Sequence, residues 1–157
     1  MANYAATNSN AGTQQAIAAT YKSLIGLNAA TSPALKRFKV YDILVGTNGT
    51  PADNFVEWDV SRMTAAGTGT ALTPNPLDPA DSATAIAGTA NYTVEPTVTA
   101  SSSVFYVGVN QRASYRWVAA PGSELVAPAT NLAGFVLRAR SGGYTGTATG
   151  EMLFLEG

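Results

Sequence analysis

The clearest pattern along the chain is an alternation of apolar and polar residues, which is sharpest between Asn54 and Thr64. The apolar set is Val56, Trp58 and Val60, and the polar set is Glu57, Asp59 and Ser61. A period of two is that of a β-strand whose successive side chains point to opposite faces of a sheet. The segment therefore predicts a strand with one buried face and one solvated face.

Comparable segments recur along the chain and are separated by turn-forming residues such as Asn48-Gly49. Strands are predicted over 37–45, 54–64, 92–99, 104–109, 113–118, 132–140 and 144–155. The segment 16–27 permits a short amphipathic helix or a strand, and the strand is favoured because everything downstream is β. Asn110-Gln111-Arg112 predicts a hairpin between two strands, with Trp117, like Trp58, facing inward. The pattern predicts an all-β fold, a jelly-roll-like β-sandwich of about eight antiparallel strands.

Two stretches lack this pattern. Residues 1–15 are small and polar, which predicts an extended or disordered N-terminal arm ahead of a single domain over 16–157. Residues 65–90 contain Pro74, Pro76 and Pro79, which exclude a central strand there. Connections of this length are uncommon in compact domains and are often functional.

The composition excludes more classes of function than classes of fold. Charged residues make up 12% of the 157 residues, about half of the ~25% usual for a soluble domain. Histidine and cysteine are absent, which excludes thiolate nucleophiles, disulfides and cysteine-based metal sites. The net charge of −1 and the lack of a basic run argue against a nucleic-acid partner. No signal peptide is visible at the start, and no apolar run approaches the roughly 20 residues of a membrane helix.

Candidate chemistry is sparse. Glu57 and Asp59 lie on one strand face at a spacing that overlaps glycosidase carboxylate separations, although a solvated strand face explains them more simply. Asp78, Asp81 and Asn75 could hold Ca²⁺, but their spacing does not match a calcium loop and turn-forming aspartates are the simpler interpretation. We therefore expect no catalytic residue, no metal and no cofactor, and a protein that is not an enzyme.

Interface chemistry is the better-supported hypothesis. Low charge predicts that partners bury much of the surface, as in a homo-oligomer. Arginines beside aromatic residues are typical interface anchors, although they are equally compatible with ordinary outward-facing strand positions. The predicted interface residues are Tyr4, Asn8, Gln14, Arg112, Arg116, Arg138 and Arg140.

Several short segments, taken in order, resemble one family. They are Arg37-Phe38-Lys39-Val40-Tyr41-Asp42, residues 60–68, Thr73-Pro74 with Leu77-Asp78, residues 93–97, residues 116–122 and Leu153-Phe154-Leu155-Glu156. Over about residues 20–157 the chain is similar to small phage capsid decoration (cement) proteins with a jelly-roll-like fold. It departs from a typical member in its longer polar N-terminal arm.

The resemblance implies a structural virion protein without catalysis. Such a protein is made in the host cytoplasm and sits on the outer capsid surface, often as a trimer that bridges capsomers of the major capsid protein. No nucleic acid or membrane takes part. The arm would wrap a neighbour and add a strand to its sheet, so removing residues 1–15 should weaken capsid binding and leave the fold intact.

The alternative is a receptor- or glycan-binding module of a phage tail or fibre. Such a module needs exposed aromatic rings over a groove. The aromatic residues left free by the alternation are Tyr4, Tyr92 and Tyr144.

Overall fold

The computed structural model describes residues 1–11, 14–30 and 34–157, and these residues form thirteen β-strands and one short 3-10 helix. The strands are β1 (Ala2–Thr7), β2 (Gln15–Ala16), β3 (Lys22–Ala29), β4 (Phe38–Asn48), β5 (Phe55–Ala65), β6 (Thr68–Leu72), β7 (Asn75–Pro76), β8 (Ile86–Val94), β9 (Thr97–Asn110), β10 (Tyr115–Val118), β11 (Leu125–Ala127), β12 (Gly134–Arg140) and β13 (Thr147–Glu156). The 3-10 helix, Asn8–Ala11, follows β1. No helix in the described ranges is long and apolar enough to cross a membrane.

The strands form two antiparallel sheets. Sheet A has the order β10-β4-β13-β1-β7, with β11 also paired to β4 and β2 also paired to β13. Sheet B has the order β6-β8-β3-β12-β5-β9. The predicted all-β sandwich is confirmed, and 16–27 contributes to a strand, β3, rather than to a helix.

The main core lies between the sheets. The side chains of β5 that point into it are Val56, Trp58 and Val60, as the alternation predicts. Trp117 packs against the margin of this core. Phe38 of sheet A meets Phe135 of sheet B edge-on, with ring centroids 6.1 Å apart, and Phe154 of its own sheet at 5.7 Å. The edge-to-face contact between Phe38 and Phe135 therefore joins the two sheets.

The segment predicted as an N-terminal arm is instead part of the sandwich. β1 pairs with β13 over all six of its residues and with β7 on its other side. Tyr4 is buried and its ring stacks on Phe154 at 5.4 Å. A strand position is set by backbone pairing as well as by apolar area, so a polar composition does not exclude it. Gly12 and Thr13, also within the predicted arm, lie outside the described residues.

The hairpin predicted at residues 110–112 does not form. β9 belongs to sheet B and β10 to sheet A, so the turn carries the chain from one sheet to the other. Gln111 fixes this corner: its backbone N–H donates to Asn54 O at 2.8 Å and its side chain donates to Thr50 O at 3.0 Å. The prediction that 65–90 contains no central strand is only partly right. β6 and β7 are edge strands, but β8 begins at Ile86, after the last of the three prolines, and lies between β6 and β3 in sheet B.

A two-stranded ribbon covers part of the outer face of sheet B. We use this name for residues 63–72 paired with residues 88–98, where Met63 pairs with Val98 and Thr68 with Val94. Gly67, at φ +63°, lies so close to the Val94 carbonyl that a Cβ would be 2.5 Å from its oxygen. Glu95 of the ribbon reaches β3, where its Oε2 accepts the Ser23 N–H at 3.0 Å.

A second group of buried side chains lies beneath the ribbon, separate from the core between the sheets. It comprises Met63, Tyr92, Pro96 and Val136. Gly26 of β3 provides the space, since a Cβ there would collide with the Tyr92 hydroxyl. Sheet B is therefore buried on both faces at this end, whereas no segment of the described residues covers the outer face of sheet A in this way.

Candidate functional site

Charged side chains converge on the outer face of sheet B beyond the ribbon. Asp59 lies directly opposite Arg138 in the pairing of β5 with β12, and Glu57 lies opposite Arg140. We call Glu57, Asp59, Arg138, Arg140 and the adjoining Tyr21 the arginine–carboxylate cluster. The sequence singled out all four charged residues, but it did not predict that they pair with one another.

Asp59 is the buried centre of the cluster. It accepts hydrogen bonds from Arg138 Nε at 2.6 Å, from the Ser61 hydroxyl at 2.6 Å and from the Ser103 hydroxyl at 2.5 Å. The face predicted to be solvated is therefore buried at Asp59 and Ser61. A buried carboxylate needs this number of donors, so this half of the cluster is structural.

Glu57 occupies the outer half of the cluster. It forms an ion pair with Arg140 and accepts the Tyr106 hydroxyl at 2.8 Å. These hydrogen bonds hold the pKa of Glu57 below its usual value, and the same bonds raise the pKa of Arg140 and of Tyr106. A glycosidase acid requires a carboxyl group whose pKa is raised, so this arrangement does not suit general-acid chemistry by Glu57.

Tyr21 holds the two arginines in place. The guanidinium carbon of Arg138 lies 4.5 Å from the centre of the Tyr21 ring and that of Arg140 lies 4.7 Å from it. Both distances are within the range of a cation–π interaction. The pKa of Tyr21 is raised, chiefly by burial, so its hydroxyl stays protonated and the side chain is neutral beside the two cations.

Two exposed aromatic residues, Phe55 and Tyr106, border the cluster, and we call them the aromatic rim. Each leaves 56% of its surface exposed. The Phe55 ring lies over Gly108 of the neighbouring strand, where a Cβ would occupy the same space. A shallow pocket of about 230 Å³ opens beside it, lined by Ala19, Phe55, Glu57, Arg140, Ser141 and Gly142.

The aromatic rim was not among the site residues predicted from the sequence, although the alternation contains a signal for it. Phe55 falls on the same parity as Glu57 and Asp59, so the alternation places it on the outer face. The aromatic residues that were predicted to be free for a ligand are buried instead: Tyr4, Tyr92 and Tyr144. Tyr144 donates its hydroxyl to Asn48 O, and the Tyr92 side chain fills the space that Gly26 leaves beneath the ribbon.

The outer face of sheet A carries a different surface, in which aliphatic and charged side chains alternate, and we call it the open face. Its aliphatic residues are Ala5, Leu44, Val118, Val126, Leu153 and Leu155. Leu44 and Val118 are exposed. Within this surface Arg116 Nη2 lies 2.5 Å from Asp42 Oδ2, and this hydrogen-bonded pairing raises the pKa of Arg116. At one end a depression of about 480 Å³ is lined partly by Val126, Leu155 and Lys39.

The residues predicted as partner contacts do not share one surface. Arg138 and Arg140 belong to the cluster, and Arg116 lies on the open face of the other sheet. Arg112 is at the corner between the sheets, where its Nε lies 2.9 Å from Asp53 Oδ1. β10, which carries Arg116, and β12, which carries Arg138 and Arg140, belong to different sheets.

The predicted contacts from the N-terminal segment are internal. Asn8 is fully buried: its amide donates to Ala148 O at 2.9 Å and its oxygen accepts the Gly150 N–H at 3.0 Å. Gln14 accepts from the Asn48 amide at 2.7 Å and from the Thr147 hydroxyl at 3.1 Å. Together with Tyr4 they tie the segment to β13 and its surroundings, because its backbone and amide groups need partners once the strand is in the sheet.

The aspartates considered for Ca²⁺ form a turn. Asp78 Oδ1 accepts the Ala80 N–H at 2.9 Å, and the Asp78 carbonyl accepts the Asp81 N–H at 3.0 Å. This is the local hydrogen bonding that favours aspartate in turns. In the described part of the chain, no group of three or more acidic residues is arranged to hold a metal ion.

Comparisons of the chain with protein-family models, with curated proteins and with solved structures find no match. The observations that bear on function are therefore two surfaces, the open face of sheet A and the cluster with its aromatic rim on sheet B.

Proposed function

We propose that the protein is a capsid decoration (cement) protein, a jelly-roll-like structural virion protein that binds the outer surface of an icosahedral phage head. Its partners are copies of itself, in a trimer, and the major capsid protein. The order of short segments that resemble decoration proteins supports this proposal, as does the all-β sandwich. The resemblance is the basis for the trimer.

The open face is the observation that carries the proposal. Its aliphatic side chains come from five strands of sheet A, and in the pairing register they alternate with Lys39, Asp42, Arg116 and Glu151, of which Asp42 and Arg116 form an ion pair. Exposed apolar side chains grouped on one face mark interaction sites, and arginine is enriched at interfaces. We assign this face to the shell and its adjoining depression, bordered by Lys36, Arg37 and Lys39, to an acidic or apolar projection of the capsid protein.

The mechanism is multivalent clamping by rigid surfaces. Each subunit contributes a modest contact, and linking the subunits makes each further contact effectively intramolecular. Residues 2–7 are built into sheet A, so they do not serve as a flexible tether in this mechanism. Low charge is consistent with a protein that works packed against partners.

The test replaces an exposed residue of the open face with a charge. Val118→Lys leaves the core untouched, and Val94→Lys is the matched control, because Val118 is 58% exposed and Val94, on the ribbon, is 59% exposed. Binding is measured by co-sedimentation with heads purified from the phage that encodes the chain. We expect Val118→Lys to weaken binding about tenfold or more, equivalent to about 1.4 kcal/mol, and Val94→Lys to bind as the wild type does.

Two outcomes would contradict parts of the proposal separately. Wild-type protein that does not sediment with heads would overturn the decoration function, whereas equal loss in the two variants would overturn the assignment to the open face. The oligomer is tested independently by light scattering at micromolar concentrations. We expect a mass three times 16.1 kDa. The mass of a monomer at every concentration would overturn the proposal of a trimer.

A further inference from the structure

We propose that the aromatic rim and the Glu57–Arg140 pair form a binding site for one ring of a neutral saccharide. The site lies on the outer face of sheet B, whereas the open face is the outer face of sheet A. It therefore does not depend on the assignment of the open face to a capsid, and it would be available in a subunit seated on that face.

The first element is the apolar platform. Sugar rings present faces of C–H groups that pack against aromatic rings, and Phe55 provides such a ring beside the pocket. The ring is held in position from below by Gly108, and the backbone of Phe55 is fixed by the Ser141 hydroxyl, which donates to Phe55 O at 2.6 Å. A platform fixed before binding loses little conformational entropy when a ligand arrives.

The second element is a pair of planar groups that lie side by side, the Arg140 guanidinium as hydrogen-bond donor and the Glu57 carboxylate as acceptor. Arg140 uses Nε for Glu57, and in the described residues its two terminal nitrogens make no hydrogen bond. Glu57 accepts one bond at each oxygen, which leaves further lone pairs. Neighbouring sugar hydroxyls, each both donor and acceptor, match this pair. The Tyr21 ring fixes the guanidinium at 4.7 Å, so the pair is preorganised.

Charge and size define the ligand class. The negative charge of the Glu57 carboxylate and the positive charge of the Arg140 guanidinium cancel, so the site has no net charge to attract an anion or a cation. Its volume of about 230 Å³ is below the usual range of about 300–1,000 Å³ for sites that enclose drug-sized ligands. A shallow, neutral, partly aromatic site of this size suits a single uncharged sugar ring at the end of a longer glycan.

The experiment uses the full chain and simple probes. Saturation-transfer NMR is recorded at millimolar concentrations with the methyl glycosides of glucose, galactose, mannose and N-acetylglucosamine, and with a methyl sialoside as the charged comparison. We expect transfer to at least one neutral glycoside, and at least a tenfold loss of affinity in Phe55→Ala. Tyr106→Phe keeps the ring and loses only the hydrogen bond to Glu57, so a smaller loss is expected.

Leu77→Ala is the matched control, because Leu77 is also exposed and apolar but lies beside β7, on the other sheet. Its binding should equal that of the wild type. The absence of transfer to every neutral glycoside would overturn the proposal, as would binding confined to the sialoside or binding that Phe55→Ala leaves unchanged. No capsid is present in this experiment, so its failure is separate from failure of the decoration function.

Discussion

At the scale of single residues, two arginine–carboxylate pairs differ chiefly in how much water reaches them. The side chains of Arg138 and Asp59 are 22% and 3% exposed, whereas those of Arg112 and Asp53 are 54% and 79% exposed. A surface pair contributes about 0–1 kcal/mol, because water and salt screen it. Removing one partner of a buried pair leaves an uncompensated charge, which is far more costly.

Arg138→Met should therefore lower the free energy of unfolding by about 3 kcal/mol, whereas Arg112→Met should change it by less than about 0.5 kcal/mol. Methionine keeps much of the arginine's aliphatic length, so the comparison isolates the charge. Urea denaturation at pH 7 measures both variants. Equal effects in the two variants would show that burial does not set the strength of these pairs.

The Glu57–Arg140 pair makes a prediction about pH. The pKa of Glu57 is lowered in the folded protein, chiefly by the hydrogen bond from Arg140. The stabilisation is complete above the unfolded value of about 4.3, and it is lost as pH falls through the lower folded value. Glu57→Gln should therefore lose less stability than the wild type when urea denaturation is repeated between about pH 5 and pH 3. Parallel losses in the two proteins would contradict the lowered pKa.

At the scale of elements, alternation predicts strands well and their partners poorly. The strand over 54–64 and the inward direction of Trp58 follow from side-chain period alone. The hairpin expected at residues 110–112 fails because local turn chemistry does not specify which sheet the next strand joins. The ribbon could not be predicted from the sequence either, because it depends on pairing between strands that are distant in the sequence.

The space beneath the ribbon depends on Gly26. A Cβ there would meet the Tyr92 hydroxyl, and the next nearest atoms are Tyr92 Cζ at 3.1 Å and Met63 Cε at 3.3 Å. The hydroxyl is buried and makes no hydrogen bond of ordinary geometry in the described residues. Burial raises the pKa of Tyr92 to about 12, although the nearby Thr89 side chain lowers it. Removing this oxygen should therefore cost little, since no hydrogen bond is lost with it.

We expect Gly26→Ala to destabilise the fold by about 1–3 kcal/mol, and Tyr92→Phe to be nearly neutral. In the double variant the closest contact is gone, so alanine should cost at least about 1 kcal/mol less than it does beside tyrosine. Thermal or urea unfolding of the four proteins measures this coupling. Strictly additive effects would mean that the hydroxyl does not limit the space at Gly26.

At the scale of the whole molecule, the N-terminal segment shows where composition misleads. Its small polar residues predict an arm, because little apolar area is available to bury. The structure instead supplies β13 as a pairing edge and Phe154 as a stacking partner for Tyr4. The same holds for the candidate site. Glu57 and Arg140 were predicted as site residues from the sequence, but that they pair with each other follows only from the register of β5 with β12.

Removing residues 2–7 should accordingly unfold the protein instead of detaching an arm from an intact domain. The deletion takes Tyr4 and Ala6 out of the core and leaves β13 and β7 without a shared partner. Losing several buried contacts at once is comparable to the whole stability of a domain, about 5–15 kcal/mol. Proton NMR dispersion and a cooperative urea transition measure the outcome. Asn3→Ala, at an exposed position of the same strand, should retain both, and a truncated protein that also retained both would show that β1 is dispensable to the fold.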